Sequence, residues 1–174
     1  MKNNIEISYL DYFPSPSWVC DYLTAKTDIQ SPSLVLETSA GTGELAKNLS
    51  QTSAKIHCIE LVPEFRLKLT QQGFIVVGSN FLTTPLSSYP YIVQNPPFSV
   101  QLSFIYKAYS LLTSEGKLVS LLSDAPLKYH RSVYAQFRNW CYAVNAVLQE
   151  LPYGLFLNSS RSTSVQCYSL IINK

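Results

Sequence analysis

The chain has 174 residues, enough for one packed domain and too few for two of ordinary size. Its 47% hydrophobic and 14% charged residues exclude a disordered chain, and a net charge of +2 excludes an extended polybasic surface. We therefore expect one domain over residues 1–174, with no separate target-recognition domain.

The four cysteines are scattered without a C-x-x-C pair, at Cys20, Cys58, Cys141 and Cys167. This spacing argues against a zinc or redox motif and favours reduced thiols. The N-terminal stretch lacks the apolar core of a secretory signal, and no run nears the roughly 20 apolar residues that span a bilayer. We expect a cytoplasmic protein with no metal and no membrane partner.

The first half of the chain alternates between helix and strand patterns. Ser15 and Pro16 predict the cap and the first turn of a helix, so that residues 1–30 form an N-terminal helical segment. Short apolar runs predict strands at 33–37, 55–60 and 74–78. Helices are predicted between them at 44–51 and 63–72. This alternation is typical of a parallel α/β sheet.

The second half continues the pattern and then changes it. Strands are predicted at 91–94, 117–122, 146–151 and 164–172. Helices are predicted at 100–112 and 131–140, with a turn at Glu115 and Gly116 and a surface loop at 83–90. The last two strands have no convincing helix between them, so we expect an antiparallel hairpin. The sheet should have about seven strands, mostly parallel and flanked by helices.

A glycine turn and an acidic residue follow the first two strands. In an open α/β sheet, ligands bind beyond the carboxyl ends of the strands, where Gly41 and Gly43 lie. Glycine lets the backbone approach a ligand closely, and the helix beginning near Glu44 directs free N–H groups at it. Glu60 ends the second strand, where a carboxylate can accept hydrogen bonds from ribose hydroxyls. These features fit an adenosine-bearing cofactor.

The segment Asn95-Pro96-Pro97-Phe98 directly follows the fourth strand and should face the same cleft. An exocyclic amino group is a weak nucleophile because its lone pair is delocalised into the ring. The Asn95 oxygen and the Pro96 carbonyl can accept its two protons and localise that lone pair. The prolines stiffen the segment, and Phe98 can stack on a base taken out of a duplex. The motif predicts chemistry on a planar NH2 group.

The combined motifs resemble those of the class I S-adenosylmethionine-dependent methyltransferases, and in particular the N6-adenine amino-methyltransferases. ETSAGTGELA resembles motif I, IELVPEF motif II, GSNFL motif III, NPPF motif IV, and FPSPSW the N-terminal motif that closes over the cofactor. The resemblance covers nearly the whole chain and implies a Rossmann-like fold. It implies S-adenosylmethionine as cofactor and nucleic acid as partner, with DNA preferred and RNA as the alternative.

The resemblance also assigns roles to individual residues. Glu37, Ser39, Gly41 and Gly43 would line the methionine side, Glu60 the ribose, and Asn80 and Phe81 the adenine. It adds further cofactor contacts at Tyr12, Phe13, Ser15, Ala40, Leu61 and Asn95. Two positions depart from the family pattern, which commonly has Pro at Thr38 and Asp at Asn80. The Asn80 oxygen can still accept a hydrogen bond, but the lost charge predicts weaker cofactor binding.

Substrate recognition has fewer sequence signals. Candidate phosphate contacts are Lys128, His130, Arg131, Arg138 and Arg161, and ordinary surface charge is the alternative interpretation of each. Phe156 is a candidate second aromatic wall for the flipped base, or a core residue. A separate specificity subunit or a homodimer could supply recognition.

Two other functions stay open. Methyltransferases that act on an RNA base (adenine N6 or guanine N2) or on a protein glutamine amide also use an Asn-Pro-Pro-aromatic motif to hold a planar NH2 group. A non-catalytic methyltransferase-like subunit that binds nucleic acid or a partner protein is the alternative outside the enzymes.

Overall fold

The structure, a computed structural model, describes residues 13–29, 32–157 and 163–174. The predictions for Tyr12 and Arg161 therefore lie outside the described residues. The strands are β1 (Leu34–Glu37), β2 (Lys55–Ile59), β3 (Ile75–Gly78), β4 (Tyr89–Gln94), β5 (Leu112–Ser123), β6 (Val147–Glu150) and β7 (Cys167–Asn173). The helices are α1 (Ser17–Ala25), α2 (Glu44–Leu49), α3 (Pro63–Gln71), α4 (Gln101–Leu111), α5 (Ala125–Lys128) and α6 (Ser132–Ala143).

These strands form one seven-stranded sheet in the order β3-β2-β1-β4-β5-β7-β6. The five strands from β3 to β5 are parallel, and β7 runs antiparallel to both β5 and β6. The predicted architecture, a mostly parallel sheet with an antiparallel C-terminal pair, is confirmed. The strand order reverses between β1 and β4, which places the ligand crevice of an open α/β sheet beyond the carboxyl ends of these strands.

Helices cover both faces of the sheet because successive strand residues point to opposite sides. In β1, Val35 packs into the cluster under α1, α2 and α3, whereas Leu36 packs into the cluster under α4 and α6. Both side chains have no exposed surface. In β4, Ile92 and Val93 divide between the two clusters in the same way. Burial on both faces explains the nearly continuous apolar runs of the central strands.

The start of α1 differs from the prediction. The helix begins at Ser17, with Pro16 as its N-cap and no capping hydrogen bond from a side chain. The Ser15 hydroxyl instead pairs with the Asn95 amide at 3.0 Å. The predicted cap is wrong because a long-range partner at the carboxyl end of β4 takes the hydroxyl.

The boundaries around β4 and β5 also differ. Tyr89 begins β4 instead of ending a surface loop, because its ring is buried and its hydroxyl pairs with His57 Nδ1 at 3.0 Å. The predicted turn at Glu115 exists as a left-handed backbone position, φ 63°, inside a longer β5. Short helix α5 was missed because four residues carry no helical period.

Candidate active site

A cleft of about 750 Å³ opens at the carboxyl ends of β1 to β4. Most residues assigned to the cofactor from sequence line it: Phe13, Ser15, Glu37, Ser39, Ala40, Gly41, Glu60, Leu61, Asn80, Phe81 and Asn95. Pro97 of the predicted catalytic segment also lines the cleft. The wall further includes residues that the sequence interpretation missed as contacts: Pro14, Thr38, Glu44, Leu45, Val62, Ser79 and Phe104. Thr38 and Ser79 each directly follow a strand, and this position could have identified them from sequence. Phe104 lies in α4, and no sequence pattern indicates that it reaches the cleft.

Glu37 is the unusual group of this cleft. The side chain is 2% exposed, and its Oε2 is buried without a hydrogen-bond partner. Desolvation, followed by the nearby carboxylates of Glu44 and Glu60, raises the pKa of Glu37 well above its ordinary value, against a hydrogen bond from the Ala46 backbone. A buried carboxyl with an unsatisfied oxygen is costly to the folded protein. A cationic hydrogen-bond donor in the cleft would satisfy it.

Glu60 connects the second strand end to the glycine turn. Its Oε2 accepts the Gly41 N–H and its Oε1 accepts the Val62 N–H, each at 2.7 Å. Burial raises the pKa of Glu60, and the hydrogen bonds from these two amides oppose that rise. Each carboxylate oxygen keeps a second lone pair, so the side chain can also accept hydroxyl donors. Arg66 fixes the turn by donating to the Glu60 carbonyl at 2.9 Å.

Gly43 does not line the cleft, which differs from its predicted place on the methionine side. It is the N-cap of α2 with φ 96°, a conformation that favours glycine. A Cβ at this position would lie 3.0 Å from Leu69 Cδ2 and 3.0 Å from Gln72 Oε1. The glycine therefore lets α2 pack against α3, and Gly41 alone of the pair lines the cleft.

Asn80 and Phe81 follow β3 and form the far wall of the cleft. The Asn80 Oδ1 accepts the Leu82 N–H at 2.9 Å, so one lone pair of the oxygen expected to meet the cofactor is already used in a turn. Phe81 is 1% exposed and tilts against Phe104 with 5.0 Å between ring centroids. Lys107 holds the loop by donating to the Phe81 carbonyl.

Asn95 lies where the cleft meets the N-terminal segment. Its Nδ2 donates to the Phe13 carbonyl at 3.3 Å and pairs with the Ser15 hydroxyl at 3.0 Å. A carbonyl only accepts, so this contact sets the orientation of the amide and leaves Oδ1 as its acceptor. The Ser39 hydroxyl donates to the Asn95 carbonyl at 3.0 Å, which ties the glycine turn to the NPPF segment.

A buried chain of polar side chains lies beneath this segment. The Thr38 hydroxyl donates to Gln94 Oε1 at 2.7 Å, and Gln94 Nε2 donates to the Ser120 hydroxyl at 3.1 Å. All three side chains are at most 2% exposed. Thr38 stands where the resembling family commonly has Pro, and here its hydroxyl starts a hydrogen-bonded chain that links the ends of β1 and β4 to Ser120 within β5. The departure has a structural function.

Three aromatic rings pack around the NPPF segment. Phe13 lies nearly parallel to Phe98, with centroids 6.1 Å apart and an interplanar angle of 17°. Phe156 meets Phe98 edge-on at 6.4 Å and has no exposed surface. The structure therefore favours the core interpretation of Phe156 over the second aromatic wall. A smaller cavity of about 170 Å³ lies between Phe13, Asn95, Pro96 and Phe98.

The basic candidates follow β5 and are not equivalent. Arg138 Nη1 donates to the carbonyls of Pro126 and Tyr129 at 2.7 and 3.3 Å, which makes it a structural link between α5 and α6. Lys128 forms an exposed ion pair with Asp124. His130 and Arg131 are both exposed. These two are the candidates best placed to meet a phosphate.

Other sites receive no support in the described ranges. No group of three or more His, Cys, Asp and Glu side chains suited to a metal ion is found there. All four cysteines are buried free thiols, and burial raises the pKa of each thiol above its ordinary value. Within the same described residues, no helix combines the length and apolar character needed to cross a membrane.

Known proteins resemble this chain in structure and not in sequence. No protein-family model matches the chain, and no curated protein matches it either. A methyltransferase subunit of a type I restriction-modification system from Streptococcus thermophilus superimposes with a TM-score of 0.78 and 16% identity. A Listeria monocytogenes protein assigned to the class I S-adenosylmethionine-dependent methyltransferases gives 0.71 and 15%. The chain has the class I methyltransferase fold.

The same methyltransferase fold occurs in a 23S rRNA methyltransferase, ErmE, with a TM-score of 0.68 and 15% identity over 94% of this chain and 70% of the other. The superpositions cover 93% of this chain and 45% of the Streptococcus subunit, and 99% of this chain and 63% of the Listeria protein. This chain thus spans about half to two thirds of these two larger proteins.

Proposed function

We propose that the protein transfers a methyl group from S-adenosylmethionine to the exocyclic amino group of a nucleobase, with adenine N6 in DNA as the preferred acceptor. The observation that carries this proposal is one cleft that holds both an unsatisfied buried carboxyl, Glu37, and an oriented amide acceptor, Asn95. The first fits a cationic cofactor and the second fits an NH2 group.

The cleft residues suit S-adenosylmethionine in charge and polarity. The cofactor carries an ammonium group, which would satisfy the orphaned Oε2 of Glu37 and relieve its repulsion from Glu44 and Glu60. We assign Ser39, Ala40 and Gly41 to the methionine side with Glu37. When bound, the cofactor supplies an electrophilic methyl group on a sulfonium.

The remaining cleft residues suit the nucleoside part. The free lone pairs of Glu60 can accept ribose hydroxyl donors, with Leu61 beside them. Asn80 and Phe81, supported by Phe104, provide one polar acceptor and an apolar wall for the adenine. Gly43 contributes indirectly, by setting the start of α2.

Asn95 and Pro96 act on the acceptor. Asn95 Oδ1 and the Pro96 carbonyl would each accept a hydrogen bond from the amino group, which draws both N–H bonds out of the ring plane and localises the nitrogen lone pair. The N–C bond would form as the S–C bond of the cofactor breaks, the thioether product would leave, and the methylated nitrogen would lose one proton to water. The Asn95 amide is already oriented for this, because the Phe13 carbonyl and the Ser15 hydroxyl hold its Nδ2. Positioning of this kind replaces a strong base, and the cleft needs none.

We choose DNA as the acceptor class from the motif resemblance to the N6-adenine amino-methyltransferases. Solved structures with the same fold include a restriction-modification subunit and an rRNA methyltransferase, at 16% and 15% identity, so the fold itself is compatible with either nucleic acid. His130 and Arg131 would contact phosphates, and so few cations suggest that a specificity subunit or a second copy contributes to recognition. Four free thiols fit a reducing, cytoplasmic compartment.

Methyl-labelled S-adenosylmethionine tests the proposal. The protein is incubated with separate pools of duplex DNA, single-stranded DNA, rRNA and protein, beside an Asn95→Ala control. We expect label in DNA with the wild-type protein and none above background with the variant. Label confined to rRNA would move the acceptor to RNA, label confined to protein would overturn the nucleobase assignment, and no label in any pool would favour a binding subunit.

A further inference from the structure

We propose that Phe13 is the second aromatic wall of the acceptor site, so that the planar acceptor ring is held between Phe13 and Phe98. This inference rests on the proposed function, because it concerns the amino-group acceptor of the same site. It transfers to Phe13 a role that the sequence offered to Phe156.

The smaller cavity gives the location. It is lined by Phe13, Asn95, Pro96 and Phe98, and it shares Phe13 and Asn95 with the larger cleft. The shared residues separate the two cavities, so a ring in the smaller cavity lies beside the cleft proposed for the cofactor. Pro96 and Asn95, which carry the proposed acceptor oxygens, both line this cavity.

The ring geometry suits a planar occupant. A ring inserted between two parallel faces needs about 3.5 Å of contact on each side, or about 7 Å between the faces. The centroids of Phe13 and Phe98 are 6.1 Å apart, and their planes differ by 17°. The two rings must therefore separate by at least about 1 Å, and their near-parallel orientation already matches the faces of a flat heterocycle.

The two walls differ in how firmly they are held. Phe98 follows two prolines of fixed φ, which stiffen the backbone that carries its ring. Phe13 is half-buried, and its carbonyl accepts the longer of the two hydrogen bonds from Asn95, at 3.3 Å. Because the Phe98 side is rigid, Phe13 provides the opening. Phe156 has no exposed surface and packs edge-on against both Phe98 and Phe13, with 6.4 Å between centroids in each case, so it supports the two walls without forming one.

Steady-state methylation of unmethylated duplex DNA tests this assignment in Phe13→Ala, Phe13→Leu and Phe13→Tyr. Stacking on an aromatic platform is worth about 1–3 kcal/mol per base, so Phe13→Ala should raise the KM for DNA by about fivefold or more. Phe13→Tyr should stay near wild type, and Phe13→Leu should fall between because it fills volume without a flat face. The Kd for S-adenosylmethionine, measured by calorimetry, should change less than threefold.

Trp18→Ala is the matched control, because Trp18 is an exposed aromatic residue of the same N-terminal region that lines neither cavity. Normal KM in Phe13→Ala, or faster transfer, would overturn the assignment and leave the proposed function standing. A loss explained wholly by the cofactor Kd would also overturn it, since Phe13 would then serve the cofactor cleft alone. If neither the wild-type protein nor Trp18→Ala transfers a methyl group, the proposed function itself is refuted. If Phe13→Ala lowers the melting temperature too far for assay, the comparison of Leu with Tyr decides.

Discussion

Replacing Asn95 by alanine removes the side chain on which the proposed chemistry depends. The variant loses the hydrogen bonds from Nδ2 to the Phe13 carbonyl and the Ser15 hydroxyl, 3.3 and 3.0 Å long. At about 0.5–1.5 kcal/mol for each bond, the stability cost is about 1–3 kcal/mol. In a chain of this length, each kcal/mol of lost stability lowers the melting temperature by about 2–4 °C. We therefore expect the variant to stay folded at about 25 °C.

The effect on transfer should be larger than the effect on folding. Removing one preorganised hydrogen-bonding group from a transition state costs about 10²–10³-fold in kcat, and we expect a loss in this range for Asn95→Ala. The Kd for S-adenosylmethionine should change by less than about tenfold, because Asn95 forms only one part of the cleft wall. Asn48→Ala, which breaks an Asn–Asp hydrogen bond between α1 and α2, is the matched control. Transfer by Asn95→Ala within threefold of this control would refute the role given to the amide.

Three further substitutions probe the supports of the cleft. Burial and neighbouring carboxylates raise the pKa of Glu37 well above 4.5, so the folded protein holds this proton more tightly than the unfolded chain does. The folded state is therefore favoured at low pH, and this contribution to its stability is lost as the pH rises from about 4.5 through the raised pKa. Glu37→Gln should therefore melt increasingly above wild type as the pH increases beyond about 4.5, while binding S-adenosylmethionine about tenfold or more weakly in calorimetry; equal melting curves at all pH values would contradict this. Thr38→Val strands the buried Gln94 oxygen and should cost about 1–3 kcal/mol in urea unfolding. Thr38→Ser should restore most of that stability, and a serine variant as unstable as valine would argue against the hydrogen bond. Gly43→Ala should destabilise more than Gly73→Ala, since both have positive φ but only the Gly43 Cβ meets neighbours at 3.0 Å; equal unfolding free energies would reject the packing explanation.

The succession of helices and strands along the chain could be predicted, because apolar runs, prolines and glycine turns act through local conformation. The runs at β1 and β4 are nearly continuously apolar because both faces of these strands are covered, and Pro63 occupies the first turn of α3, where its missing N–H costs nothing. The reversal between β1 and β4 then follows from the connections. The strand ends were less certain, as at Tyr89, because His57 on another strand decides where pairing begins.

The site was predictable where a residue's position along its strand places it in the cleft. Gly41, Glu60 and Asn95 all lie in the cleft because each follows the carboxyl end of a parallel strand. The functions of residues whose partners lie far away along the chain could not be predicted from sequence. Ser15 pairs with Asn95 across 80 residues, and Arg138 binds carbonyls of the preceding loop instead of presenting its charge.

Aromatic residues show the same limit. Sequence alone assigns a stacking role to Phe98 and leaves Phe156 as either a second aromatic wall or a core residue. The structure separates them by exposure, because Phe156 has none, and it brings Phe13 from the opposite end of the chain against Phe98. A contact between residues 85 positions apart leaves no local pattern to detect.

Mass spectrometry of nucleosides released from duplex DNA tests the central claim most directly. Unmethylated DNA is incubated with S-adenosylmethionine and the wild-type protein, or with Asn95→Ala, and then digested to nucleosides. The proposed chemistry predicts N6-methyldeoxyadenosine with the wild-type protein and at least 100-fold less with the variant, on the order expected for the loss of one positioned acceptor. Methylation on a ring carbon or on oxygen, or equal N6-methyldeoxyadenosine from both proteins, would contradict it.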